Sequence, residues 1–480
     1  MMSRRYLSLA IAPLMLLAMA CTRQPAKVNF PPDDPHVKLT STNLPIVWIE
    51  VDGAAISRED RVPAHMKIIH NGDSALNWAD TVTHRGQRID YEGPIALRYR
   101  GNSSLNASDR KPYSFRTLEK PLDESSKRRK VEILGMGADN NWALLAPYSD
   151  KSMMRDLLAF EVSRPWMEYT PQGRYCELFL DGTYYGVYIL CEVVSKGKNR
   201  LNLAKPGDAG DALTGDYLME VDYDDDVNYV SRYHPLDSSG RPISDRFVHI
   251  QYKSPEHDDL SASQLYYITG RINEMEQVLA SPGYRDPQRG YSKYIDVTSF
   301  IDYQIAMELG HNIDGYRKSC KFYKRRDSQD GRFKTVVWDM NLAYGNCNIR
   351  EAWRADTWVY ESNDLLRAEN EDFLVPFWWY RLNRDEDYQA RFKARWAQYR
   401  NTTLTDERVM AVIDSLATVL TVCGAEQRNS QAWPRWGTYV WPNYYVSCDF
   451  DDEVNYLKHW IRERIAWMDE RLGYRKGQGK

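Results

Sequence analysis

The sequence has no surplus of positive charge, few histidines and no paired-cysteine motif, and each shortage removes a class of function. Lysine and arginine total 63 against 67 aspartate and glutamate. Nucleic-acid binding by counterion release needs clustered cations, and the one basic run, Lys127-Arg128-Arg129-Lys130, sits in a polar connection that reads as a solvated loop. A nucleic-acid partner is therefore excluded. The nine histidines form no HxH or HxxxH pair, which argues against a hydrolase built on a histidine-held metal, although His311 with Asp314 and Asp339 is the one set that could make such a site. Six cysteines beyond Cys21 show no CxxC spacing, so no zinc pattern is present. Cys320 with Cys347, or Cys423 with Cys448, are conceivable disulfides, and inert buried thiols are the equal alternative. No internal repeat occurs.

What is present first is a leader. Arg4 and Arg5 precede an apolar run from Tyr6 to Ala20, too short for a comfortable bilayer span, and Ala18-Met19-Ala20-Cys21 supplies the small residues of a cleavage site. Residues 1–20 read as a signal peptide. The motif resembles a bacterial lipobox, which implies a lipidated Cys21, a membrane anchor and an exported lipoprotein of the cell envelope or cell surface; a plain secretory signal is the alternative. Residues 21–43 are polar, carry Pro25, Pro31, Pro32 and Pro35, and read as a tether.

Order is expected from residue 44. Leu44 to Val51 has the branched and aromatic composition of a strand closed by Asp52-Gly53, and residues 94–100 alternate, with Ile95, Leu97 and Tyr99 on one face and Arg98 and Arg100 on the other. Pro112 to Thr117 makes another strand. Ser149-Asp150 is a helix cap candidate before Met153, Met154, Leu157, Leu158 and Val162. Residues 177–180 and 187–190 read as a hairpin around Asp181-Gly182, and residues 217–222 as a strand. Ser299 to Asp302 has a capping-box pattern opening an amphipathic helix that stops near His311. Lys321 to Lys324 and Lys334 to Trp338 form a second hairpin, and beyond residue 370 the pattern is mainly helical. The expectation is an α+β chain in two lobes, a β-rich one over about residues 44–205 and a mainly helical one over about residues 206–480.

The constellation that carries chemistry is His311-Asn312-Ile313-Asp314-Gly315-Tyr316 after a helix, followed by Trp338-Asp339-Met340-Asn341 at the end of a hairpin. Carboxylates at the ends of rigid elements are exposed yet held, and Mg²⁺ takes carboxylate and amide oxygens while leaving positions to water and phosphate. Asp314 is placed to orient or deprotonate a hydroxyl, Asp339 to hold a metal. Two other features have simpler readings. Glu220 to Asp226 lacks EF-hand spacing and reads as a solvated acidic loop rather than a Ca²⁺ site. Ten of 15 tryptophans follow residue 350, which is read first as helix core; adjacent Trp378 and Trp379 cannot share a face, which leaves at least one for an interface or groove, with carbohydrate or surface-polymer binding as the alternative.

On Arg100-Gly101-Asn102-Ser103-Ser104, Asn141-Trp142 through Asp150 to Arg155, the hairpin from Gly182 to Glu192, Asn312-x-Asp314-Gly315, Trp338-Asp339-Met340-Asn341 and Gly345, taken in order, the chain resembles the CotH kinase family over roughly residues 44–480. The resemblance implies an atypical protein-kinase fold that uses ATP and Mg²⁺ to phosphorylate serine in a protein. Carried over by position, Asp314 is the catalytic aspartate, Asp339 the metal aspartate, and Lys111 the lysine on the phosphates, with Arg100 as a second candidate. Asn341 stands where active members of the family commonly have an aspartate, and can still offer Mg²⁺ its carbonyl. The asparagine often found after the catalytic aspartate is missing, and Ser319 is the nearest polar residue. A catalytically silent domain that binds a surface polymer is the rival from another class.

Overall fold

The computed structural model describes residues 37–225 and 228–476. The leader, Cys21 and most of the tether lie outside them. Seven strands close into a barrel: β1 (Ile46–Glu50), β2 (Val62–Ile69), β3 (Ile89–Tyr99), β4 (Tyr113–Thr117), β5 (Asn141–Leu145), β6 (Gly173–Leu180) and β7 (Thr183–Glu192), in the order β6-β7-β5-β4-β3-β2-β1. Neighbours are antiparallel except where β6 meets β1 in parallel, Glu177 opposite Ile46 and Leu180 opposite Ile49, and that pair seals the barrel. Strand alternation fills the interior with Ile95, Leu97, Phe115, Trp142, Leu178 and Leu190, all buried. The same alternation turns Arg98 and Arg100 outward.

After β5 the chain forms α1 (Arg155–Ser163), whose first turn is buried despite its charges. Asp150 serves it as the sequence suggests, though from outside the cap position: its Oδ2 accepts from Arg155 N at 2.8 Å, across a turn in which Met153 has φ 61°. Arg155 itself lies between Asp150 (2.5 Å) and Glu453 (2.9 Å).

The later part of the chain is not only helical. Five strands form a second sheet: β8 (Tyr217–Val221), β9 (Tyr229–Val230), β10 (His249–Ser254), β11 (Cys320–Lys324) and β12 (Phe333–Val336), in the order β9-β10-β8-β11-β12. The longer helices of this part are α2 (Ala262–Ala280), α3 (Val297–Gly310), α4 (Phe377–Asn383), α5 (Glu386–Arg400), α6 (Asp406–Thr421), α7 (Ala425–Ala432) and α8 (Phe450–Leu472); α3 packs on β12, and α7 lies against β7 of the barrel. Among the described residues no single helix is long and apolar enough to cross a membrane.

Several expectations change here. Helix α3 is capped by Asp296, whose side chain accepts from Ser299 N at 3.1 Å, so Ser299 is in the first turn and not at the cap. It is also buried on nearly every side, not amphipathic. Trp378 and Trp379 are both buried because α4 is enclosed: Trp378 donates to Glu276 at 2.9 Å, and Trp379 packs on Phe300 and Tyr316. Cys320 and Cys347 are buried thiols whose ionisation burial pushes up to about 12.

The C-terminal elements reach back to the barrel. Arg428 of α7 grips Glu177 of β6 with two bonds of 2.5 and 3.0 Å, Asn429 Oδ1 accepts from Val187 N at 3.0 Å, and Trp433 donates to Tyr185 O at 2.8 Å. Gly186 has φ 87°, and any side chain there would strike Asn429 and Trp433.

Candidate active site

Between the outer face of β3, β4 and β5 and side chains of β8, β10 and β11 in the second sheet runs a cleft of about 1570 Å³. Pockets for a single small ligand rarely exceed roughly 1,000 Å³, so there is room for more than one reactant. Asp156, Asp314, Asp339 and Asn341 all line it, with Arg100 and Lys321 among the cations facing them.

Asp339 is two residues beyond Val337, where β12 has ended, and its backbone is left-handed at φ 58°. Non-glycine residues hold that conformation only when their surroundings force it. Here the peptide group that follows is clamped at both ends: Asn312 Nδ2 donates to Asp339 O at 3.0 Å, and Met340 N donates to Asp156 Oδ1 at 2.7 Å. Asp339 is exposed to the cleft, whose walls crowd its carboxylate. That enclosure raises its pKa, and the charge of Asp314 adds to the effect, while a hydrogen bond from Ser319 and the charges of Arg100 and Lys321 oppose it. Ser319, the residue nearest in sequence to the missing asparagine, is itself left-handed at φ 52°.

Asp156, on the first turn of α1, is buried, and its carboxyl is pushed up to about 7, first by burial and then by the charge of Asp339. Two carboxylates kept close in a poorly hydrated place favour a proton or a cation between them. Sequence reasoning missed Asp156. The signal was available: Arg155-Asp156 is a charged pair inside the apolar run Met153 to Leu158.

Asp314 stands where α3 ends. His311 closes that helix with φ 44°, and Arg317 N and Lys318 N both bond to Asp314 O, at 3.0 and 2.9 Å. The carboxylate accepts from Arg317 Nη2, and Arg317 is fully buried, held by Ile313 O and by Glu371 at 2.9 Å each. About a quarter of the Asp314 side chain stays exposed (26%). Glu371 collects Arg317, Lys318 and Arg350, whose charges outweigh its burial and lower it to about 2.

Arg100 lies 5.1 Å over the Trp338 ring, and its Nη1 is buried with no hydrogen-bond partner among the described residues. A guanidinium fixed by an aromatic face with an unmet donor is suited to an anion. Lys111 differs from its expected role. Its Nζ donates to Leu105 O at 2.6 Å, closing the short Ser103–Ala107 helix, and it is not among the residues lining the cleft. Of the lysines that line the cleft, Lys321 of β11 is the one whose charge acts on Asp339, and it pairs with Glu220, which also has Lys253 at 3.6 Å. Glu220 and Asp222 are thus not a solvated loop: Glu220 is buried in β8, and burial with the charge of Glu220 pushes Asp222 up to about 7. His311 is buried and bonds Thr357 at 2.8 Å, in a smaller cavity on the other side of the Asp314 segment. It shares no site with Asp339, which removes the hydrolase reading.

The arrangement is a cleft in which carboxylates at the ends of a strand and two helices face an arginine and a lysine. The chain belongs to the CotH kinase family, whose model, described as CotH kinase protein, matches residues 97–468. The match begins within β3, so β1 and β2 precede it. No curated protein matches the chain.

Proposed function

We propose that the chain is a protein serine kinase that uses ATP and Mg²⁺, with the barrel as the first lobe of a kinase-like pair and the second sheet with its helices as the other. The observation that carries this reading is the convergence of Asp156, Asp314 and Asp339 on Arg100 and Lys321 in one cleft. Among the described residues no three histidine, cysteine or acidic side chains make a closed cage, and Mg²⁺ fits this, since it is usually held by one or two carboxylates with phosphate and water completing its shell. Asp339 and Asp156 would hold it, with the Asn341 carbonyl beside them. When bound, the cation offsets phosphate charge. Arg100 and Lys321 bind and orient the phosphates, and Asp314, steadied by Arg317, orients the acceptor hydroxyl and takes its proton at the oxygen that Arg317 leaves free. Lipid anchoring through Cys21 would set this activity at a membrane of the cell envelope, with a protein as acceptor.

A second reading, a silent domain that binds a surface polymer, draws on Asn341 in an acid's place and on Tyr439, Trp441 and Tyr444, each about half exposed, of which Trp441 lines the cleft. Calorimetry of ATP with and without Mg²⁺, on the full chain and on Asp339→Ala, separates the two. A kinase binds ATP in a metal-dependent way that the substitution abolishes, and Asp314→Asn stops label transfer from ATP to protein while the chain stays folded. No binding at millimolar ATP would sink the kinase reading.

A further inference from the structure

The basic run that reads as a solvated loop in the sequence does not stand alone. Arg128 and Lys130 border the cleft at the end away from Asp339, beside Arg98 of β3 and Arg116 of β4. In the β3–β4 register Arg98 lies opposite Ser114 and Ala96 opposite Arg116. Arg61, just before β2, crosses both strands to donate to Ala96 O and Ser114 O, each at 3.0 Å.

Elsewhere enclosed cations have partners: Arg155 pairs with Asp150 and Glu453, Arg317 with Glu371 and Arg428 with Glu177, while Arg110 and Arg435, buried without an ion pair, donate to backbone carbonyls of Val187, Pro147 and Tyr148. Among the described residues none of Arg61, Arg98, Arg116 or Arg128 has an ion pair, and Arg116 Nε is buried with no hydrogen-bond partner. Glu256 acts on Arg116 only from beyond ion-pair distance. Burial, then repulsion by Arg116, Arg98 and Arg128, brings Arg61 down to about 9, and Arg116 is lowered by burial and by its arginine neighbours. Four guanidiniums gathered on one wall of the cleft without a carboxylate partner, Arg61 and Arg116 at a cost to the free protein, are a site prepared for an anion. Counting along β3 from Arg100 to Ala96 at about 3.3 Å per residue puts the cluster on the order of 13 Å from the Asp339 end.

We infer that the cleft has a second anion subsite, made by Arg61, Arg98, Arg116 and Arg128, which takes a phosphate group on a ligand lying along the cleft. A phosphomonoester fits better than a carboxylate, because it carries close to two charges and three acceptor oxygens against several forked donors. It is either a second phosphate on the nucleotide or one already present on the acceptor. This deepens the kinase reading and rests on it for its role in turnover, but the binding stands apart from the metal.

The test is calorimetry of the full chain without divalent metal, on two pairs: adenosine 3′,5′-bisphosphate against AMP, and a phosphoserine peptide against the same peptide with serine. One pair should show a preference of about tenfold or more for the extra phosphate, and the pair that does names its source. Arg116→Gln with Arg128→Gln should erase the preference, leaving the unphosphorylated partner's affinity unchanged; neither side chain makes a hydrogen bond among the described residues, so no internal bond is lost. Asp339→Ala, which removes metal-dependent ATP binding, should leave the preference intact. Absence of preference in both pairs, or a preference that survives the double substitution, overturns the subsite. A preference in a chain that transfers no phosphate would keep the subsite and sink the kinase.

Discussion

Asp156→Asn should make the protein more stable at alkaline pH and flatten the dependence of stability on pH. The substitution keeps an acceptor for Met340 N and removes a charge that burial and Asp339 oppose. At about 1.4 kcal/mol for each tenfold in acidity, raising a carboxyl from 3.8 to about 7 amounts to about 4 kcal/mol. The folded value exceeds the unfolded one, so the folded chain holds the proton more tightly. The stability this contributes is complete below pH 3.8 and is lost as pH rises through 7. Between pH 5 and 8 the wild type should therefore lose about 2–3 kcal/mol that the asparagine variant keeps. Urea unfolding of both proteins at pH 5, 6, 7 and 8 measures the difference directly, because other titrating groups cancel. Millimolar Mg²⁺ at pH 8 should restore much of the lost stability to the wild type and little to the variant. Parallel profiles, or a variant less stable at pH 8, would refute the account of Asp156 as a carboxylate held beside Asp339 at a cost.

Two further outcomes can be stated. Arg100→Gln should weaken metal-dependent ATP binding by about tenfold or more, as loss of a charged hydrogen bond does, while Lys111→Gln should change it by less than about twofold; calorimetry showing the reverse would restore the lysine's expected role. Gly345→Ala should cost about 2–5 kcal/mol in urea unfolding, because residue 345 has φ 73° and an added methyl would overlap Trp460.

What could be read from the sequence was whatever rests on local periodicity. Ile95 and Leu97 against Arg98 and Arg100 announced a strand with a buried and an exposed face, and the pattern beyond residue 370 announced helices, of which α8 is the last. Barrel closure was not legible, since the β1–β6 pair joins residues about 130 apart and leaves no mark in either segment. Strand β10 was missed for a similar reason: its partners β8 and β9 decide it. Ser299 suggested a cap because Asp302 follows it by three, but Asp296 reaches the same N–H first. At the site, Asp314 and Asp339 stood out by wording, whereas Asp156 did not, because its importance comes from α1 docking against a loop 184 residues away. Lys111 was misplaced since strand position alone does not tell where a long side chain turns, and the Leu105 carbonyl takes its ammonium.

The grip of α7 on the barrel and of α8 on α1 has a consequence for how the molecule comes into being. Glu177 and Arg155 wait for Arg428 and Glu453, so two of the most enclosed charges have no complete set of partners until residues some 250 to 300 positions later have been made. A ribosome that stops short of α7 releases a chain in which Glu177 lacks Arg428 and Arg155 lacks Glu453. Closing such long loops is entropically slow. The wiring thus makes completeness of the polypeptide a condition for assembling the cleft.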